Sequence, residues 1–322
     1  MNIRENIVYL ASVNSRSCFP QREESIKKNI PYFEIYKDSF NRLSVRGGGH
    51  HGHDNEPRMD MWEQYLKLYI LPNIGDEYDV TGFYNIELHD SYTYLKNDKD
   101  YKNVMTFAKF KDDSKPVLIP DPYMICNWGN MLTSVHDESH IENKLSKVVF
   151  TGTTTGNRDP AKNERIKACL WSLDHQDFCE FKITKVAQMS VESIVKTYGS
   201  QWKDIYLPRH VSIHDQLRYR YHLNIDGNTC RFDVWPYKTN SLVLKTQSQE
   251  MLWYHPLFRA NSEYVEVDTL ERLKEISEFY NRNLNIAKHI TRNANALASE
   301  LFVPMSHMLY TVSLFETMAI NK

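Results

Sequence analysis

The stretch that decides the fold is Val148-Val-Phe-Thr-Gly-Thr-Thr-Thr-Gly-Asn-Arg-Asp159, an apolar run followed by glycines, hydroxyls and an arginine. The apolar run predicts a strand over Val148–Phe150, and the pattern after it predicts a helix over Ala161–Leu173. The rhythm continues downstream, where a helix is predicted over 191–198 and strands over 219–225, 241–245 and 264–267. Such alternation is typical of an open, mostly parallel sheet, so the second half is predicted to be an α/β domain.

The flanking regions predict a second domain. The first 140 residues alternate short apolar runs with polar loops, and they predict one helix over Met59–Ile70 and strands over Ile7–Val13, Val80–Leu88, Val104–Phe110 and Val117–Ile119. Apolar spacing predicts an amphipathic helix from Leu270 to about Leu301, which Pro304 ends. A chain of 322 residues can form two cores. We therefore expect domains over 1–142 and 143–302, with a terminal helix in 303–322 crossing back to the first.

Composition narrows the class of protein. The formal net charge is only -2, so no basic field is available to hold a nucleic-acid backbone. No segment approaches the roughly 20 apolar residues of a membrane span, and the start of the sequence lacks the features of a secretory leader. The five cysteines form no CxxC pair. We expect a soluble cytoplasmic protein with reduced thiols that acts on a small molecule.

The loop after the strand at Val148 has the chemistry of a diphosphate site. Gly152 and Gly156 let backbone amides approach an anion, the hydroxyls of Thr153 and Thr155 can donate to it, and Arg158 supplies positive charge. It is not a Walker motif, because no Gly-Lys-Ser/Thr follows. The alternative interpretation is a Ser/Thr-rich turn that caps a helix.

A second loop of this kind lies within Tyr219–Phe232. A predicted strand ends at Asp226, Gly227 permits a tight turn, and Arg231 falls in the first turn of a predicted helix. A cation there opposes the helix dipole, which favours an anionic partner. The alternative is a salt bridge from Arg231 to Asp226 or Asp233.

Several motifs, in a fixed order, resemble glycosyltransferase family 90, the family of Rumi-type protein O-glucosyltransferases, capsule-associated xylosyltransferases and lipopolysaccharide-modifying relatives. The resemblance covers about residues 145–300. It is carried by Phe150–Asp159 and Tyr221–Arg231, and then by Ser241–Lys245, Trp253, His255-Pro256, Tyr264–Val267 and the late helix with Ala287.

The resemblance implies a GT-B architecture of two Rossmann-like domains that face each other across a cleft. It also implies inverting transfer of glucose or xylose from a UDP-sugar to a glycan or protein hydroxyl, with no tightly bound cofactor and no metal requirement. Thr153 would line the diphosphate, and Arg158 and Arg231 would bind it. The expected donor-contacting residues are Gly152, Thr153, Thr155, Gly156, Arg158, Asp226, Gly227, Arg231, Ser241 and Lys245.

Inverting transfer needs a carboxylate that removes the proton of the acceptor hydroxyl. The family places an aspartate just after a strand of the first domain, and the segment Phe83–Asp90 ends such a strand, which makes Asp90 the candidate base. Glu87 is the second choice. Without the family, the pattern of Asp90 before Ser91 favours a turn residue at a strand end.

Two other classes of function stay open. His50, His51 and His53, within the glycine-rich run 47–54, could bind a divalent metal and would then indicate a metal-dependent hydrolase. The glycines and the lack of a helical i, i+4 pair favour instead a flexible loop near the acceptor. A non-catalytic protein that binds a nucleotide sugar or a glycan would keep both arginines and lack the base.

Overall fold

The computed structural model describes residues 2–15, 31–48, 56–88, 104–122, 124–125, 135–230 and 234–321. The chain forms two compact units. Unit 1 comprises Met1–Asn130, Glu250–Leu257 and Glu300–Lys322, and unit 2 comprises Met131–Gln249 and Phe258–Ser299. Unit 1 is thus assembled from three stretches of sequence, and its last stretch contains the predicted terminal helix.

Unit 1 contains a mixed five-stranded sheet in the order β2-β1-β3-β4-β6. Strand β1 pairs antiparallel with β2 and β3, whereas β3, β4 and β6 are parallel. The strands are β1 (Tyr32–Lys37), β2 (Leu43–Gly48), β3 (Gly82–Glu87), β4 (Val104–Thr106) and β6 (Val117–Leu118), and β5 (Lys109–Phe110) pairs separately with β11 (Glu250–Met251).

The described helices of unit 1 include α1 (Ile3–Ser15), α2 (Glu56–Tyr65, continued by a π turn over Leu66–Ile70) and α9 (Pro304–Ile320). Asn14 on α1 donates to the hydroxyl of Tyr310 at 2.9 Å, and Tyr310 in turn donates to the carbonyl oxygen of Leu118 at 2.7 Å. These bonds tie the first and last described helices of the chain to β6.

Unit 2 contains a five-stranded, fully parallel sheet in the order β12-β10-β9-β7-β8. Its strands are β7 (Leu145–Thr153), β8 (Cys179–Lys185), β9 (Tyr219–Asn224), β10 (Leu242–Thr246) and β12 (Val265–Val267). Renumbered within the unit, the order is 2-1-3-4-5, one of the common doubly wound arrangements. The order reverses between β7 and β9.

Helices surround this sheet: α3 (Glu164–Trp171), α4 (Val191–Tyr198), α5 (Gln201–Ile205), α6 (Ile213–Leu217), α7 (Leu273–Arg282) and α8 (Leu284–Leu301). Apolar side chains of β9, α3 and α7 belong to one core cluster, among them Tyr221, Leu223, Ile166 and Ile276. The other face of β9 is buried as well. A central strand of a parallel sheet is commonly covered on both faces, which accounts for the burial of every residue of β9.

The α/β class predicted for the chain is confirmed, and so is the mostly parallel sheet of its second half. The helix over Val191–Tyr198 begins and ends as predicted, and the two sheet-bearing units are the components that a GT-B protein requires. The sequence placed the domain boundary after residue 142, whereas the compact units divide after Asn130.

Three local predictions were wrong. Ile7–Val13 belongs to helix α1, because Ile7, Leu10 and Ala11 recur at helical spacing and form its buried face. The helix expected over Leu270–Leu301 is two helices, since Asn283 ends the first by donating from its side chain to the carbonyl oxygen of Phe279 at 2.8 Å. Val104–Phe110 is divided between β4 and β5, which belong to different sheets.

The described part of the chain contains no helix with the length and hydropathy needed to cross a bilayer. Within it, Cys169 and Cys179 are buried free thiols, and Cys230 is buried as well. Burial raises the pKa of Cys179 to about 12, which disfavours a reactive thiolate there.

Candidate functional site

The loop that follows β7 is anchored on one side by Thr154. This fully buried residue donates its hydroxyl to the carbonyl oxygen of Ala187 at 2.8 Å and accepts from the amide of the same residue at 2.8 Å. The neighbouring hydroxyls of Thr153 and Thr155 are only half-buried and lie 3.1 Å apart. Thr154 therefore has a structural role, whereas the two threonines beside it are partly exposed.

Asn163 fixes the rest of this loop through hydrogen bonds of its side chain. Its side-chain nitrogen donates to the carbonyl oxygens of Thr154 at 3.0 Å and Asn157 at 2.9 Å, and its side-chain oxygen accepts from the amide of Ile166 at 3.1 Å. The last bond caps the amino terminus of α3. One fully buried amide thus joins the loop to the start of the helix that follows it.

Two glycines bring the loop after β7 against the loop after β9. Gly156 has φ +115°, and a Cβ atom there would lie 3.3 Å from the carbonyl oxygen of Gly227. A Cβ atom on Gly227 would lie 2.7 Å from Oγ1 of Thr155. The amide of Gly156 also donates to Oδ1 of Asn228 at 2.9 Å. The backbones of the two loops therefore lie close together, and this close approach favours glycine at these two positions.

Arg165, in the first turn of α3, spans both loops. Its guanidinium donates to the carbonyl oxygens of Ile225 at 2.9 Å and Asp226 at 3.1 Å on one side, and to Oγ1 of Thr155 at 2.8 Å and the carbonyl oxygen of Thr153 at 3.3 Å on the other. Arg165 was not predicted from the sequence. The predicted helix began at Ala161, which placed Arg165 beyond its first turn, whereas α3 begins at Glu164 and places Arg165 within that turn.

Lys245 and Asp226 form an ion pair at the same edge of the sheet, 3.1 Å between Nζ and Oδ1. Lys245 is 5% exposed and lies at the carboxyl end of β10, opposite Asn224 of β9. The hydroxyl of Thr246 donates to the carbonyl oxygen of Asn224 at 3.3 Å. These contacts hold the start of the β9 loop on β10.

The sheet topology makes this edge the place to look for a ligand. In doubly wound sheets, ligands bind outside the carboxyl ends of the strands where the strand order reverses. Here that point lies between β7 and β9, the two strands whose loops Arg165 joins. Glycine amides, threonine hydroxyls, a guanidinium and the amino terminus of α3 meet there, the combination that binds a phosphorylated ligand.

The residues expected to contact the donor are only partly brought together. Gly152, Thr153, Thr155, Gly156, Asp226, Gly227 and Lys245 lie at this edge. Arg158 is on the same loop, exposed and without a side-chain partner among the described residues. Ser241 is at the opposite, amino end of β10, where its buried hydroxyl donates to the carbonyl oxygen of Tyr219 at 2.7 Å.

Several predicted site residues lie outside those described, namely Asp90, Arg231 and the histidines 50, 51 and 53. Thr229 and Cys230 before Arg231 are not helical, and the next described helical element is a 3-10 turn over Trp235–Lys238. Glu87, the second choice for a base, is a buried residue at the carboxyl end of β3. Within the described residues, no group of three or more His, Cys, Asp or Glu could hold a metal ion.

An α/β protein whose parallel sheet reverses order beneath two closely packed, glycine-bearing loops is the class that this geometry defines. A family model described as glycosyl transferase family 90 matches residues 119–319, well over half of the chain. The chain belongs to glycosyl transferase family 90, as the motif order predicted, and glycosyl transfer is the type of activity that this membership assigns. A comparison with curated proteins gives no significant match.

Solved glycosyltransferases show distant similarity. A glycosyltransferase from Rickettsia africae ESF-5 is 12% identical with a TM-score of 0.43, over 71% of this chain and 67% of that one. Anabaena Alr3699/HepE, solved with UDP-glucose, is 11% identical with a TM-score of 0.38, over 60% of this chain and 55% of that one. The C-terminal domain of LpcC from Francisella tularensis is 7% identical with a TM-score of 0.32, over 48% of this chain and 85% of that one.

Proposed function

We propose that this protein is an inverting glycosyltransferase that transfers glucose or xylose from a UDP-sugar to a hydroxyl group of a glycan or protein. Unit 2 would bind the donor and unit 1 would supply the acceptor side. The observation that carries the proposal is the junction of the β7 and β9 loops at the switch point, joined by Arg165 and by the contact between Gly156 and Gly227.

Diphosphate binding follows from the groups at this junction. The hydroxyls of Thr153 and Thr155 and the exposed guanidinium of Arg158 would donate to the phosphate oxygens, and the amino terminus of α3 adds favourable dipole charge. Arg165 uses its protons on four acceptors of the loops, so its first role is to fix their geometry. Arg231 would add a second cation from the β9 loop. Charge that develops on the departing UDP is then met by donors already in place.

Asp90 would act as the base that removes the proton of the acceptor hydroxyl, while UDP leaves from the opposite face of the sugar. No bound metal is required in this scheme, because the loop donors and arginines supply the positive charge. Ser241 is left out of the proposed site, since it is bonded at the other edge of the sheet.

The donor proposal is tested by calorimetric titration of UDP, UDP-glucose and UDP-xylose. We expect saturable binding that Arg158→Gln weakens about tenfold, the loss of one charge-assisted bond. Arg282→Gln removes the same charge from an exposed position on α7 and should bind like the wild type. Equal affinity in all three proteins, or no binding of UDP, would sink the proposed donor site.

The base is tested by UDP release in the presence of an acceptor panel. Asp90→Asn should keep donor binding and lower turnover by about 100- to 10,000-fold, the range for a lost general base. Unchanged turnover would remove Asp90 from the mechanism, and Glu87→Gln would then be measured. Donor binding by the wild type with no turnover on any acceptor would favour a non-catalytic binding protein.

A further inference from the structure

A cavity of about 230 Å³ opens in unit 2, away from the loops described above. It is lined by His140, Ile141, Glu142, Asn240, Lys288, Thr291 and Arg292. The segment 140–142 precedes β7 and Asn240 precedes β10, so the cavity lies at the amino edge of the parallel sheet. Pockets for drug-sized molecules measure about 300 to 1,000 Å³, so this one suits a smaller ligand.

The α8 wall of the cavity carries two cations one helical turn apart. Nζ of Lys288 lies 3.0 Å from a carboxylate oxygen of Glu142 across the cavity. Arg292 is exposed and has no carboxylate partner among the described residues. Only one of the two positive charges is therefore balanced by the lining itself.

A buried arginine lies behind the opposite wall. Arg220 is 8% exposed, and its guanidinium donates to the carbonyl oxygens of Ile141 at 3.0 Å, Glu142 at 3.2 Å and Lys144 at 3.2 Å. Its other acceptors, in Ser146 and Asn281, are also neutral. A buried charge is normally paired with an opposite one, because an unpaired ion loses its hydration without compensation.

The neighbouring carboxylate, that of Asp137, already has a cationic partner. Asp137 lies 2.7 Å from Nζ of Lys144 in a pair that is almost fully buried, and it also accepts from the amide of Asn240 at 2.7 Å. Among the described residues that line the cavity or belong to the hydrogen-bond network of its wall, the cations are Arg220, Lys144, Lys288 and Arg292, and the carboxylates are Asp137 and Glu142. Four cations against two carboxylates leave an excess of two positive charges.

We propose that this cavity binds the phosphate group of a small molecule, or free phosphate, at a site separate from the donor site. A phosphate group carries about -1.5 to -2 charge near neutral pH, which matches the excess, whereas a single carboxylate would neutralise half of it. The fork of Arg292 and the ammonium of Lys288 provide donors from one side, and His140 and Asn240 provide polar groups from the other. The guanidinium of Arg220 adds charge through the wall.

Calorimetric titration of inorganic phosphate and of glucose 6-phosphate into the whole protein, at about pH 8 and low ionic strength, tests the site. Low salt is used because screening weakens exposed charge pairs. The double variant Lys288→Gln/Arg292→Gln should weaken phosphate binding at least about tenfold. Arg209→Gln removes an exposed cation elsewhere in unit 2 and should leave the affinity unchanged.

Arg158→Gln distinguishes this cavity from the donor loops. If phosphate binds at the amino edge, Arg158→Gln keeps wild-type phosphate affinity even where it loses UDP. Variant-sensitive binding of glucose 6-phosphate identifies a phosphorylated small molecule as a ligand, and binding of inorganic phosphate alone identifies the free ion. The proposal is overturned if neither phosphate compound binds, if the double variant binds both like the wild type, or if Arg158→Gln causes the loss instead.

Discussion

At the scale of single residues, Arg165 determines how the two loops of the proposed donor site meet. Its planar guanidinium reaches acceptors on both loops at once, which a lysine ammonium on a flexible stem cannot reproduce. Arg158 has the same charge but is exposed and makes no hydrogen bond or ion pair with a described side chain. In the proposed donor site, Arg165 would therefore position the loops and Arg158 would bind the ligand.

Replacement of each arginine by lysine tests these two roles. Arg165→Lys should lower the free energy of unfolding by about 1 to 3 kcal/mol, because loop carbonyls lose their donors, and should weaken UDP binding. Arg158→Lys keeps the charge at an exposed position, and we expect its stability to stay within about 0.5 kcal/mol of the wild type. Urea unfolding and UDP titration check both. Equal stability of the two variants would contradict a positioning role for Arg165.

The glycine contact offers a second test at this scale. Gly156→Ala places a methyl group against the carbonyl oxygen of Gly227 at a positive φ. We therefore expect weaker UDP binding and a free energy of unfolding that is lower by about 1 to 3 kcal/mol. Gly199 is also at positive φ (+58°), and a Cβ atom there would meet no atom within 4 Å, so Gly199→Ala is the matched control for backbone strain. The control should bind UDP normally, and equal UDP affinity in both variants would refute the loop contact as a determinant of binding.

At the scale of elements, apolar runs in the sequence were the signal from which most strands could be predicted. Long buried strands such as β7 and β9 are visible as apolar stretches, and the loops after them were recognised by glycine and hydroxyl content. Strand β8 was not predicted, although its alternating Cys179, Phe181 and Ile183 are buried on one face. Arg165 was missed because an arginine on a helix is ordinarily solvated, and only the fold brings Ile225 within reach.

Ser241 shows the opposite case. It was included because it begins a motif that ends at Lys245, but a strand rises about 3.3 Å per residue, so the two ends of the motif lie at opposite edges of the sheet. The sequence also could not show that Arg220 is buried, since its alternation with Tyr219 and Tyr221 resembles a solvated strand face. The roles of Asp90 and Arg231 remain predictions.

The capped start of α3 carries a prediction for an element. Asn163→Ala removes a helix cap and also the donor to three loop carbonyl oxygens, so it should cost more stability than Ser190→Ala, which removes only the cap of α4 at the amide of Ser193. A lost cap alone costs about 0.5 to 2 kcal/mol. Thermal unfolding and UDP titration of the two variants check this. UDP affinity should fall only for Asn163→Ala, and equal effects would contradict a role for Asn163 in the loop.

At the scale of the whole molecule, the buried ring of His222 contributes to the response to acid. Burial, with a smaller contribution from Lys144, lowers the pKa of His222 to about 3, and its ring packs edge-on against Trp235 at 4.9 Å. The unfolded chain takes up a proton near pH 6.5, whereas the folded chain resists it, so stability is complete above about pH 6.5 and falls as pH drops toward 3. At pH 5 the protonation of His222 in the unfolded chain lowers the free energy of unfolding by about 2 kcal/mol.

Replacing the titrating ring removes that cost. His222→Phe should lose less stability than the wild type between about pH 7.5 and pH 5, by about 2 kcal/mol in urea unfolding. His214→Gln, at an exposed position, should follow the wild-type curve. If His222→Phe loses as much stability as the wild type over this range, His222 is not a source of the acid sensitivity.

Unit 1 draws on the chain's earliest and latest described segments, joined where α1 bonds to Tyr310 of α9. During synthesis, domains usually form in the order in which they leave the ribosome. Here that order is inverted, since every segment of unit 2 has emerged before α9 exists. We therefore expect the contact of α1 with Tyr310 to form only after unit 2 has been translated, and a chaperone that shields α1 during this interval to raise the yield of native protein.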